Sequence, residues 1–237
     1  MKKTLLLLAL FAGSLLSANA DDHLTALVKP GNAVIGVQLK NATDYTAFEM
    51  EITLPEGMTV PTQTVNGKVD VAANAVTIAS NRQSETAPHK AFAHLNGNKL
   101  KVVAFSASSY ESGTPTNPIV ITDGNKDFRE QKGDLILITV NTTNSCIASD
   151  LAISNAKFVK KVGTEFLEDI LVTTTTGKLG DTNNDNDVNL TDAQNMLSFF
   201  VGETVESFNE EAADTDYDGN VNLTDAQNAL SIFVGNY

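Results

Sequence analysis

The chain has 237 residues, 29 acidic against 16 basic, and a formal net charge of −13. That balance argues against a nucleic-acid or anionic-membrane partner. The single Cys146 excludes an intramolecular disulfide, and the length suits one medium domain plus a small one.

The first twenty residues read as a secretory signal peptide. Lys2 and Lys3 give a positive start, Leu5 to Leu16 an apolar run, and Ala18-Asn19-Ala20 a small-x-small cleavage site. The apolar run is too short to span a bilayer, and no later run qualifies as a transmembrane segment. The expectation is an exported protein starting at Asp21, whether extracellular, surface-associated or periplasmic.

Residues 21–177 read as strands. "AVIGVQLKN" alternates from Ala33, and "YTAFEMEITLP" puts Phe48, Met50, Ile52 and Leu54 on one face. "AVTIAS", "KLKVVAFSAS", "PIVIT", "DLILITVNT" and "LAISNAKFV" supply more, with Asn96-Gly97 as a tight-turn signal. Many short strands without a competing long helix predict a mainly β fold, an antiparallel β-sandwich. "VIGVQLKNATDYTAFEMEITLPEGMTV" resembles the opening of cohesin domains, and "KLKVVAFSASSYE" and "GDLILITVNT" fit later strands of that family. The resemblance implies a jelly-roll sandwich that serves as a protein-recognition or carbohydrate-binding module.

No catalytic constellation stands out. His89 and His94 read as exposed loop histidines, and Glu49 and Glu51 as the solvent face of a strand. Cys146 reads as a small buried hydrophobe. Nucleophile-elbow, zinc-protease and phosphate-loop motifs are all missing from the sequence. The expectation is a non-enzyme.

Residues 178–237 form a second unit. Gly180 to Tyr237 holds twelve acidic residues and no Lys or Arg. Within it, "DTNNDNDVNLTDAQNMLSFFVG" from Asp181 recurs as "DTDYDGNVNLTDAQNALSIFVG" from Asp214, identical at 16 of 22 positions. Asp181, Asn183, Asp185, Asp187, Asn189 and Asp192 occupy positions 1, 3, 5, 7, 9 and 12 of a calcium loop (181–192). Asp214, Asp216, Asp218, Asn220, Asn222 and Asp225 repeat them (214–225). Position 6 is Gly219 in the second loop and Asn186 in the first. Two calcium ions are expected, one per loop. Each loop leads into a helix whose apolar residues recur at helical spacing: Leu190, Ala193, Leu197, Phe200 and Val201, then Leu223, Ala226, Leu230, Phe233 and Val234. Thr191, Asp192, Gln194, Asn195 and Ser198 are assigned to the opposite face. No amphipathic helix precedes either loop.

Two loop-helix calcium repeats in tandem resemble a type I dockerin module, a small all-α calcium-binding plug. The resemblance implies a cohesin domain on another protein as partner, within a cellulosome-like polysaccharide-degrading assembly. It places partner selection at Leu190-Thr191 and Leu223-Thr224, with Gln194, Ser198, Gln227 and Ser231 on the same helices. Leu190 and Leu223 serve equally well as core residues on this reading. For the sandwich, a dockerin or a polysaccharide remains the open pair of ligands. The second reading of the whole chain is a carbohydrate-binding protein recruited by its tail.

Overall fold

The computed structural model describes residues 22–83, 88–106, 127–129, 132–143, 146–162, 165–170 and 174–237. The leader and the strand expected at residues 118–122 lie outside them. The strands run β1 (His23–Val28), β2 (Val34–Lys40), β3 (Ala47–Thr53), β4 (Met58–Thr59), β5 (Thr62–Val65), β6 (Lys68–Val71) and β7 (Val76–Ile78). They continue with β8 (His89–Asn96), β9 (Lys99–Ser106), β10 (Asp134–Thr139), β11 (Asn141–Thr142), β12 (Ala152–Val162), β13 (Glu165–Ile170) and β14 (Thr174–Lys178). Three helices follow: α1 (Leu190–Phe200), the single turn α2 (Glu210–Ala213), and α3 (Leu223–Phe233).

Alternation of apolar and polar residues dictates two layers. One sheet has the order β14-β1-β2-β10-β7, the other β13-β12-β3-β9-β8. Leu24, Ile35, Val37 and Ile138 from the first meet Phe48, Met50, Ile52 and Phe158 from the second in one buried cluster. Phe48, Met50, Ile52 and Leu54 are all buried, as the period-2 pattern requires. β8 and β9 form a hairpin in which Asn96 pairs with Lys99, so the turn residues are Gly97 and Asn98. Gly97 takes the positive φ (+63°) at the first position of the turn, so the turn lies one residue further along the chain than the Asn-Gly signal suggests.

Three expectations need correction. The sandwich is not wholly antiparallel: β14 pairs in parallel with β1, Leu24 opposite Thr174 through Val28 opposite Lys178. A parallel pair joins strands far apart in sequence, which no local turn signal announces. Lys178, expected to open the tail, is the last residue of that strand. Second, His89 is not an exposed loop residue. It sits on β8, is buried, and stacks on Phe128 with ring centroids 3.7 Å apart. His94, on the same strand, does face solvent. Glu49 and Glu51 are solvent-side residues as expected, paired with Lys101 and Lys99 at 3.0 and 2.7 Å.

The third correction concerns the helices. The tail core consists of Val188, Ala193, Met196, Ala213, Val221, Ala226 and Ala229, with Phe199, Phe208 and Ile232 half-buried around it. Leu190, Leu197, Phe200 and Val201 are 57, 40, 55 and 69 % exposed, and Leu223, Leu230, Phe233 and Val234 are 53, 36, 50 and 61 % exposed. The buried face is therefore one notch round from the expected one. Its centre is the small residues that let α1 and α3 approach. Asp192, assigned to the solvent side, is fully buried.

Arg82 is a further surprise. It is fully buried, and its guanidinium donates to the Asn41 side chain (3.1 Å) and to the carbonyls of Leu39, Arg129 and Gly133. It ties β2 to the segment that leads into β10. Among the described residues, no helix is long and apolar enough to cross a membrane.

Candidate metal centre

Each loop is organised by its first aspartate. Asp181 accepts from the backbone N–H groups of Asp185 (3.2 Å) and Asn186 (2.8 Å). Asp214 accepts from those of Asp218 (3.0 Å) and Gly219 (2.8 Å). Position 3 then accepts from the N–H of position 5: Asn183 from Asp185 at 3.0 Å, and Asp216 from Asp218 at 3.1 Å. Position 5 accepts from position 7: Asp185 from Asp187 at 2.9 Å, and Asp218 from Asn220 at 2.8 Å. These turns coil the backbone so that alternate side chains converge. Positions 4 and 6 are left-handed in both loops: Asn184 (φ +58°) and Asn186 (+72°), Tyr217 (+62°) and Gly219 (+86°). Asn and Gly tolerate that region; Tyr there is unusual.

The helices start where the loops end. Asn189 and Asn222 are N-caps whose side chains accept from the N–H of Thr191 and Thr224. Asp192 and Asp225 complete a capping box by accepting from the N–H of Asn189 (2.8 Å) and Asn222 (2.9 Å). Their other oxygen holds position 2, taking the backbone N–H and hydroxyl of Thr182 (2.8 and 3.0 Å) or Thr215 (2.8 and 3.1 Å). Position 12 thus knits loop start to helix start. Sequence reasoning assigned position 12 to the metal, and Asp192 also to the solvent face, and passed over Thr182 and Thr215, both fully buried. Their signal was the Thr at position 2 of both repeats.

The donor set fits a hard cation. Asp214, Asp216 and Asp218 bring one carboxylate oxygen each within 4.8 Å of one another. Asp181, Asn183 and Asp185 take the corresponding places, with the Asn183 amide 2.9 Å from Asp185. Oxygen donors of this kind, with the carbonyls of Asp187 and Asn220 at position 7, are the chemistry calcium takes. Asp187 is exposed and Asn189 and Asn222 are used as caps. Among the tail's expected partner residues, Leu190, Thr191, Gln194, Leu223, Thr224 and Gln227 are exposed, while Ser198 and Ser231 are half-buried.

The electrostatics point the same way. Burial pushes the Asp214 carboxyl up to about 6, helped by Asp225 and Asp216 and opposed by the N–H groups of Gly219 and Asp218. Burial raises Asp181 likewise. A carboxyl whose folded pKa exceeds its unfolded value adds stability below the unfolded pKa, and that stability is lost as pH rises through the folded pKa. In chelator, the tail should therefore be more stable at pH 5 than at pH 7.5. Helix ellipticity in chelator at both pH values checks this; less helix at pH 5 than at pH 7.5 counts against it.

No protein-family model matches the chain, and no curated protein matches it. Among solved structures, the chain is similar to a non-cellulosomal cohesin from the hyperthermophilic archaeon Archaeoglobus fulgidus, at 12 % identity and a TM-score of 0.38, over 67 % of this chain and 88 % of that one.

Proposed function

We propose that this is an exported, non-catalytic assembly protein whose calcium-loaded tail docks into a cohesin domain of another protein. The sandwich acts as a second protein-recognition module in the same polysaccharide-degrading assembly. The observation that carries the reading is the repeated exposure of apolar residues. Leu190, Leu197 and Phe200 on α1 and its C-cap Val201 reappear position by position as Leu223, Leu230 and Phe233 on α3 and its C-cap Val234, all facing solvent. Two matched apolar stripes on one small module suit a partner-binding surface. Thr191, Gln194, Thr224 and Gln227 supply the polar rim. Calorimetry of the full chain against cohesins from the same organism, with calcium and with chelator, tests it. Calcium-dependent binding supports the plug; no binding to any of them in calcium rejects it.

The two loops should differ in strength. The second places three aspartates at positions 1, 3 and 5, where the first has Asn183 at position 3. More ligand charge tightens calcium sites. We expect Asp214→Ala to weaken calcium binding more than Asp181→Ala, by roughly tenfold for the stronger effect. Calorimetric titration of the two variants decides it, and equal losses overturn the ranking.

A second reading rests on the sandwich. Phe92 and Phe105 stack at 5.5 Å and 18° on the open face of the β8-β9 hairpin, 55 and 42 % exposed. A flat aromatic pair of this kind also suits a sugar ring, so polysaccharide is the alternative ligand. On this reading Phe92→Ala should abolish retention on the polysaccharide the wild type binds while leaving cohesin binding by the tail unchanged. Unchanged retention would place recognition elsewhere.

A further inference from the structure

We propose that the outer sides of the two calcium loops are also the surface by which the tail docks on its own sandwich, so that metal binding and domain docking are coupled. This rests on the calcium reading above.

In each loop the odd positions turn inward, which leaves positions 4 and 6 to face outward. One of these in each loop grips the sandwich. Asn186, at position 6 of the first loop, donates from its amide to the carbonyl of Cys146 (3.1 Å) and accepts from the N–H of Ala148 (2.8 Å). Its own carbonyl accepts from Lys178 at 3.1 Å. Tyr217, at position 4 of the second loop, accepts at its hydroxyl from Lys29 at 2.9 Å. Lys29 also pairs with Asp134 at 2.6 Å and lies 4.7 Å from the Tyr217 ring centre. The carbonyl of the next residue, Asp218, accepts from Lys132. Behind these contacts Leu27, Leu179 and Ala212 form a small buried cluster of their own.

Two sequence features follow from this geometry. A Cβ at Gly36 on β2 would displace the Lys29–Asp134 pair that meets Tyr217, and glycine there leaves the pair in place. Asn186 stands where the second repeat has Gly219, because only a side chain can bridge Cys146 and Ala148. Both gripping residues hold left-handed backbone that belongs to the wrapped loop. A loop opened by repulsion among its carboxylates would carry Asn186 and Tyr217 away from their partners. Docking in turn pre-orders the loop for metal, and the two effects are reciprocal by linkage. The apolar stripes of α1 and α3 stay exposed in the docked state.

The test is calorimetric calcium titration of the full chain as wild type, Asn186→Gly and Lys29→Met, with small-angle scattering in calcium and in chelator. Glycine is the better residue for a left-handed position 6, so loop chemistry alone predicts equal or tighter binding for Asn186→Gly. Coupling predicts the opposite, a loss of about fivefold. Lys29→Met, whose change lies outside the tail, should also weaken binding. The wild type should expand when calcium is removed. Wild-type binding with no loss of affinity in either variant, and a radius indifferent to calcium, would overturn the coupling while leaving the calcium sites standing. A wild type that takes up no calcium would sink both.

Discussion

Chelating calcium from the full chain is expected to remove most of the helix signal of α1 and α3 while leaving the sandwich folded. The tail has little else to hold it. Of its seven buried core residues four are alanines, and the largest is Met196. A module of this size rarely has a sufficient core alone. Against that thin core stand eight loop aspartates: Asp181, Asp185, Asp187, Asp192, Asp214, Asp216, Asp218 and Asp225. A ligand that binds only the folded state at a thousandfold excess over its Kd adds about 4 kcal/mol. For a small domain that is a melting shift of about 15 °C or more. Far-UV circular dichroism should therefore show a calcium-sensitive helical transition separate from a calcium-insensitive β transition. The sandwich, with its continuous core from Leu24 to Phe158, should melt at the same temperature in both buffers. If chelator changes neither helix content nor the first melting point, the metal does not hold the tail together.

The loops and helix starts were legible because their signals are local. Ligand-type residues recur at fixed offsets, and apolar residues resume at helical spacing directly after each loop; the capping role of Asn189 and Asn222, given to position 9 of the loops in the sequence, is shown by the structure. The buried face of those helices was not legible. Helical spacing shows that Leu190, Leu197 and Phe200 share a side, but not whether that side meets a neighbour or waits for one. Ala226 and Ala229 carry less hydrophobic weight than the leucines and yet are buried, because close approach of two helices selects for small side chains. The β3 alternation was readable for the opposite reason: a sheet with one face buried puts every second residue inside. The parallel pairing of β14 with β1, the burial of His89 against Phe128 and the buried Arg82 all depend on contacts distant in sequence. Asn186 shows the limit most clearly. In the sequence it is only an Asn where the second loop has Gly219, while its side chain bridges two backbone groups of another domain.

Placing a charge on one apolar stripe at a time should show whether the tail offers its partner two alternative faces. Phe200→Arg and Phe233→Arg are the informative pair, since both rings are about half exposed and neither belongs to the buried core. If each stripe can serve alone, each single variant should bind within about twofold of the wild type, which loses only one of two equivalent modes. The double variant should bind at least thirtyfold more weakly, the cost of losing an aromatic anchor worth about 2 kcal/mol. Collapse of binding in one single variant alone would mean that one face does the work and the second repeat serves only to hold the metal and the small core. Collapse in both would mean that the partner spans the two helices at once. The same proteins tested for self-association in calcium would show whether the partner is a second copy. A stripe on one molecule seated against the Phe92–Phe105 face of the next makes a head-to-tail contact, which grows into rings or chains and not a closed symmetric dimer. Our expectation is a foreign partner, hence a wild type that stays monomeric in calcium at concentrations where it already binds that partner; calcium-dependent oligomers that vanish in the double variant would reverse it.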